Sequence, residues 1–252
     1  MQHTALARLI MALGSFNDYR STAYQTKLAL THHSTTYLCQ TETDIAIFTD
    51  ALKGITAIQQ IGFNTQGIIA VNRAFDAPAE IQPTAPGRLR NAQIHADDNI
   101  VIPLGSRTKA AYYPPAVITP QDLEVIVTQY QHSPQQEQDA WRVFAQLAKL
   151  QPFQDGNKRT ALIAANAAFD TLKSGNYLIL PTNDLDLADF MIGLMRYYAA
   201  TDTAGEDQAL ARMLQLLPSA AERHQELTKP ITSEKSLNPK TIRIKPQFRK
   251  PD

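Results

Sequence analysis

Apolar residues recur at helical spacing through the first 75 residues. Leu6, Ile10 and Leu13 mark one face. Leu28, Ala29 and His32 mark a second, and Ile45, Phe48, Ala51 and Leu52 a third. Ile68, Ile69, Val71 and Phe75 mark a fourth. This pattern predicts three or four helices over residues 1–75, joined by turns such as Lys53–Gly54 and Ile61–Gly62. The texture changes at Ala77. The stretch DAPAEIQPTAPGRLR holds three prolines and a glycine and predicts a loop. In QIHADDNIVIPLG, Ile94, Ile100 and Ile102 flank Asp97-Asp98-Asn99, which predicts a short β-hairpin turning at those residues. Loop and hairpin together occupy residues 76–118 and end at Tyr112-Tyr113-Pro114-Pro115.

Residues 119–217 return to helical periodicity. Thr119 is placed to cap a helix that Pro120 begins, with Leu123, Ile126, Val127 and Tyr130 inward. A second helix is expected from about Gln135 to Lys149. A third, from about Asn157 to Ser174, is apolar over most of its surface, as a central buried helix is, and Gly175-Asn176 ends it. Two amphipathic helices follow, Asp186 to Ala200 and Glu206 to Leu217. Residues 218–252 are read as a basic extended tail. From Lys229 onward they carry four prolines, seven basic residues and two acidic ones, with little apolar periodicity.

The fold class is therefore all-α with a small β-hairpin. At 252 residues the chain suits one sizeable helical domain with appendages, or two small ones. The 44% apolar and 19% charged content is that of an ordinary globular protein, and the formal net charge of zero gives no compositional sign of a nucleic-acid or membrane partner. The basic tail supports at most nonspecific nucleic-acid contact, with Phe248 as its one aromatic. The single cysteine, Cys39, allows neither an internal disulfide nor a cysteine metal cluster. No apolar run is long enough to span a bilayer. The N-terminal apolar stretch lacks a basic region ahead of it. The expected location is the cytoplasm, or delivery without an N-terminal signal.

Candidate chemistry concentrates at residues 151–159, QPFQDGNKR, between the second and third of these helices. A glycine-containing loop leading into a helix presents unpaired N–H groups and the positive end of the helix dipole, which together attract anions. Lys158 and Arg159 stand in the first turn, where cations oppose that dipole. Two such residues beside Gly156 and Asn157 point to a bound anion, with phosphate the leading choice. Asp155 has two readings of similar weight: a helix cap, or a carboxylate placed for Mg²⁺ beside phosphates.

This segment resembles the Fic family, which includes the Doc toxins and carries HxFx(D/E)(G/A)N(G/K)R before a helix. Every defined position but the first agrees, and the ending NKRTA looks like the Doc-like branch. The resemblance covers roughly Gln25 to Ala200. It implies a Fic-type helical domain whose core is residues 119–217, with the motif loop at 151–159. It implies ATP with Mg²⁺ as cofactor, AMP transfer to a target-protein hydroxyl, and a nucleotide and an unidentified target protein as partners. By the same resemblance Gly156 and Asn157 hold the α-phosphate, Arg159 contacts the outer phosphates, Lys158 occupies the Doc-like lysine position and Asp155 holds Mg²⁺. Phe153 anchors the core. The hairpin, from about Ile94 to Tyr113, would be the flap that holds a target peptide by strand addition, with Thr108, Lys109, Tyr112 and Tyr113 as its contact residues.

Three departures qualify this expectation. Gln151 stands where the family keeps its catalytic histidine, and a carboxamide cannot act as a general base near neutrality. His95 is the one other histidine weighed as a substitute, against a plain surface-loop role. Leu162 stands where many adenylylating members carry a second arginine. Residues His33 to Gln40 resemble the family's inhibitory segment with Cys39 at the glutamate position, or else form an ordinary core-facing helix. The expected function is an impaired nucleotide-binding relative of the adenylyltransferases. The alternatives are a non-catalytic regulator or partner-binding protein, and a Doc-like kinase remnant.

Overall fold

The computed structural model describes residues 2–80, 82–105 and 109–233. Four N-terminal helices, α1 (Gln2–Gly14), α2 (Ala23–His32), α3 (Glu42–Ile61) and α4 (Thr65–Arg73), precede the loop region. Strands β1 (Ile102–Pro103) and β2 (Ala111–Tyr112) form one antiparallel pair, with Ile102 opposite Tyr112 and Pro103 opposite Ala111. Then come α5 (Pro120–Gln131), α6 (Glu137–Leu150), α7 (Asn157–Ala168), α8 (Thr171–Ser174), α9 (Asp184–Ala199), α10 (Thr203–Leu216) and α11 (Ala220–Thr228).

The helix starts follow local chemistry. Thr119 and Asp122 form a capping box ahead of Pro120. Gln136 and Asp139 do the same for α6. Asn64 caps α4 through a 2.9 Å bond from Gly67 N–H. Helix α7 is buried from Arg159 to Asn166 and packs against α6, α4, α3 and α1. Its all-round apolar sequence is thus matched by neighbours on every side.

Four expectations are corrected. No turn forms at Lys53–Gly54: both residues lie within α3, where Gly54 is buried and lets Val71 and Phe75 pack close to the helix. The helix predicted from Asn157 to Ser174 breaks at Phe169-Asp170, where Asp170 takes a left-handed φ of 55°. Side chains claim the carbonyls that would have continued it: Tyr130 Oη donates to Ala168 O at 2.7 Å, and Thr171 Oγ1 to Asn166 O at 3.0 Å. The hairpin does not turn at Asp97-Asp98-Asn99. Ala96–Asp98 is a 3₁₀ turn, because Asp98 is buried as an acceptor for Asn91 N–H (2.8 Å) and the Arg88 guanidinium (3.0 Å). The paired strands lie later, at 102–103 and 111–112. The tail does not start at 218. Ser219 and Glu222 form a capping box that opens α11, which buries Arg223 and Leu227. Most of the remaining tail, 234–252, lies outside the described residues.

An irregular strand-like layer links the loop region to the motif. Leu89 bridges Phe153 and Asn91 bridges Val117. Arg90 N–H donates to Pro152 O at 3.0 Å, and Ile118 N–H to Arg90 O at 2.9 Å. Residues 89–91 are thereby held between the motif loop and the segment after the hairpin. On the other side, the buried Asp44 carboxylate of α3 accepts from Ser21 N–H at 2.6 Å and from Arg20 N–H at 3.2 Å. That fixes the α1–α2 connection, residues 15–22, against the same end of the molecule.

Candidate functional site

Residues 151–157 make the turn from α6 into α7. Gln151 ends α6 in the left-handed region, φ 50°, and Gly156 caps α7 at φ 74°. The glycine is required twice over. A left-handed φ strains an L-residue, and a Cβ at this point would lie 2.6 Å from Phe75 Cδ2 and 3.1 Å from Asn72 Nδ2. Asn72 also donates to Asp155 O at 2.9 Å. The Asn157 carboxamide closes the loop from within. Its Oδ1 accepts from Phe153 N–H at 2.8 Å, and its Nδ2 donates to Phe153 O at 2.7 Å and Gln151 Oε1 at 3.0 Å. Asn157 acts here as a clip for the loop, with its side chain engaged on protein groups.

Gln151 is engaged at both ends as well. Its Nε2 donates to Ala148 O at 2.6 Å, and its Oε1 takes the Asn157 bond. Behind it, the buried Tyr198 hydroxyl faces the same carboxamide without completing a hydrogen bond. Burial raises the Tyr198 phenol well above its ordinary range, so it stays protonated. Arg90 supports this corner. Its buried guanidinium donates to Gln151 O at 2.6 Å, Asp98 O at 2.7 Å and Pro115 O at 2.9 Å.

Two cations stand at the start of α7. Burial lowers the pKa of both Lys158 and Arg159. Arg159 lies 4.8 Å from the centre of the Phe75 ring and 3.3 Å from Gln82 Oε1. Gln82 in turn donates to the Asp50 carboxylate of α3. Burial raises the Asp50 pKa to about 6, against the pull of Arg159. Lys158 Nζ sits 5.5 Å from the Phe16 ring centre and has no hydrogen-bond or ion-pair partner among the described residues. The backbone N–H groups of Asn157 and Lys158 also lack acceptors among them. One Asp155 carboxylate oxygen turns back on Gly156 N–H at 2.5 Å.

These groups line a cleft of about 250 Å³. Gln151, Gln154 and residues 155–159 form its floor, and Phe16, Asn17 and Ile100 form its walls. Its size, just under the ~300–1,000 Å³ common for ligand sites, suits a polyphosphate end better than a whole enclosed nucleotide.

Residues 62–169 match the Fic/DOC family model. The fold agrees: a Fic domain containing signaling protein from Bacteroides thetaiotaomicron superposes with a TM-score of 0.58 at 16% identity. The match covers 88% of this chain and 84% of that one. No curated protein matches the chain. The architecture is thus a Fic-type helical fold, with one two-stranded sheet among the described residues.

Within it, the predicted residues Gln151, Asp155, Gly156, Asn157, Lys158 and Arg159 all come together around the cleft. The flap residues separate. Tyr112 is half-buried, its ring 5.5 Å from that of Tyr198, and burial pushes its phenol up to about 12. It anchors the hairpin. Tyr113 and Lys109 are exposed, and Thr108 lies outside the described residues. His95 is exposed and does not line the cleft. Neither do Cys39 and Gln40. The 33–40 segment is a 3₁₀ turn at Thr35–Tyr37 whose first residues line a different cavity, between α2 and α3. Sequence reasoning missed Phe16, Asn17, Asp50, Gln82 and Arg90. The only signal for Arg90 was an arginine in a Pro/Gly-rich loop, and for the others there was none.

Proposed function

We propose that the cleft at residues 151–159 binds the phosphates of ATP with Mg²⁺, and that the chain is an impaired relative of the AMP-transferring Fic proteins. The single observation that carries this reading is the Lys158 ammonium: half-buried in the first turn of α7, set over the Phe16 ring, and without a hydrogen-bond or ion-pair partner among the described residues. A desolvated cation in that position is costly unless an anion completes it. The neighbouring N–H groups of Asn157 and Lys158 would add donors. Arg159 would reach the outer phosphates. Asp155 would hold the metal through its oxygen not bonded to Gly156, and one carboxylate with phosphate oxygens and water is a set that Mg²⁺ accepts. The bound ion would neutralise phosphate charge.

Gln151 occupies the position of the family's histidine. It cannot take a proton from a target hydroxyl, and both ends of its amide are committed to the loop. Transfer would then run without a positioned base, on phosphate positioning and charge stabilisation alone. The same commitment of Gln151 favours a second reading, a non-catalytic nucleotide-binding regulator.

A calorimetric titration with ATP and Mg²⁺ tests the site. Lys158→Met is the control, since Asn157→Ala would open the loop itself. Binding that weakens at least ~10-fold in the variant, with unchanged thermal stability, supports the phosphate site. Equal binding by both proteins, or by neither, removes it.

A further inference from the structure

Helix α9 turns Phe190, Gly193, Leu194, Tyr197 and Tyr198 to the interior. Its opposite face is apolar where a solvated helix is polar. Leu185 is 80% exposed and Ile192 49%. Ala188 and Ala199 are exposed as well, and Met195 is half-buried. The positions 185, 188, 192, 195 and 199 alternate in steps of three and four, which is the narrow seam of a helix that pairs with another helix. Asp189 and Arg196 flank this seam. They are seven residues apart, so they stand on one side of the helix about 10.5 Å from each other along its axis. Both are exposed, and neither side chain has a hydrogen-bond or ion-pair partner among the described residues.

We propose that α9 docks against α9 of a second copy of this chain, antiparallel, about a two-fold axis passing beside Ile192. Two independent features select that occupant. The seam is centred on Ile192, and the midpoint between Asp189 and Arg196 falls at the same place. An antiparallel pairing therefore sets Asp189 beside the partner's Arg196 at both ends of the contact. A parallel pairing would carry these residues of the two copies to opposite sides of the seam, out of each other's reach. The side-chain sizes also complement each other. Leu185 meets the partner's Ala199, Ala188 meets the partner's Met195, and Ile192 packs on the partner's Ile192. Each large residue faces a small one on either side of the central pair, so the two axes stay evenly spaced. The same patch serves both copies, as a two-fold interface requires. One helix face is a small interface, below ~1,200 Å² in total, so the dimer is weak and concentration-dependent.

The test is sedimentation of the full chain from ~1 to ~200 µM at low salt, with reversal of the two charges. The wild type is expected to associate across that range. Asp189→Arg alone and Arg196→Asp alone each place like charges at both ends, and each is expected to weaken association at least ~10-fold. The double variant D189R/R196D restores it. An equimolar mixture of the two single variants restores it as well, as a heterodimer. A wild type that stays monomeric throughout overturns the proposal. So does a dimer that the single reversals leave unchanged, since its interface then lies elsewhere.

Discussion

The Arg90 guanidinium donates from Nε to the carbonyl of Gln151 at 2.6 Å. Its other nitrogens hold Asp98 O and Pro115 O, so one side chain joins the 3₁₀ turn, the base of the hairpin and the motif loop. Burial lowers its pKa, while the nearby Asp98 carboxylate favours the charged form. Replacing it by Leu leaves those acceptors bare. We expect Arg90→Leu to destabilise the fold by about 3–5 kcal/mol, lowering Tm by roughly 10 °C. Arg142→Leu, which removes a surface ion pair with Asp207, serves as the comparison and should cost under ~1 kcal/mol. Thermal unfolding reads both, and equal losses would show that Arg90 is not the brace described.

Gly156 and Gly175 share nearly the same φ, 74° and 75°, but not the same surroundings. A Cβ at 175 meets nothing within 4 Å, whereas one at 156 runs into Phe75 and Asn72. Gly175→Ala should cost only the left-handed backbone strain, about 1–2 kcal/mol. Gly156→Ala should cost a further ~1–3 kcal/mol for the clash. Denaturant titration of the two variants measures the difference, and similar values would refute the close packing of the loop on α4.

Asp50 supplies a pH signature. Its folded-state pKa, about 6, lies above the ordinary 3.8 because burial disfavours the carboxylate. The fold therefore favours the protonated form. That contribution is complete below the ordinary value and is lost as pH rises through the folded one. Asp50→Asn cannot titrate. The stability of the wild type relative to this variant should fall between about pH 4 and about pH 7. Urea unfolding at both values checks it. A difference that stays flat, or grows with pH, would mean the carboxylate is already ionised at the lower pH.

Gln151 stands at φ 50°, a region where histidine is enriched among non-glycine residues. Gln151→His should thus fold normally and supply a base. We expect transfer of labelled AMP to lysate proteins to rise by about 10²- to 10⁴-fold over the wild type. Labelling from the γ-phosphate instead would assign the reversed, phosphorylating orientation. No gain from either label would count against group transfer at this site.

What could be read in the sequence was mostly local. The cap at Thr119–Pro120 and the apolar faces of α1 and α3 to α7 depend on neighbours a turn or two away, whereas in α2 the buried face runs through Thr26, Ala29 and Leu30 and leaves His32 exposed. The motif loop is a contiguous nine-residue run, so its residues fall together in the sequence. The misplaced hairpin shows where locality fails. Asp97-Asp98-Asn99 has turn composition, but Asp98 is drawn inside by Asn91 and Arg88, and the strands form further on. Phe16 reaches the cleft, and Gln82 and Asp50 reach Arg159, from distant parts of the chain, and no spacing rule connects them to Arg159 or Lys158. Asn157 was found, but for phosphate binding. Its clip of the loop is visible only once both partners are placed in space.

The α1–α2 connection brings Phe16 and Asn17 to the cleft wall, and α1 buries Leu9 and Ile10 completely. Both lie well outside residues 62–169. The family-matched segment is therefore not a transplantable cassette. Excised at those boundaries, it would lose one wall of its own cleft and the Asp50 side of the Arg159 network. It would also uncover the faces of α7 that α1 and α3 now shield. For this chain, the smallest piece that can be dissected out with its cleft intact begins near the N-terminal end of α1.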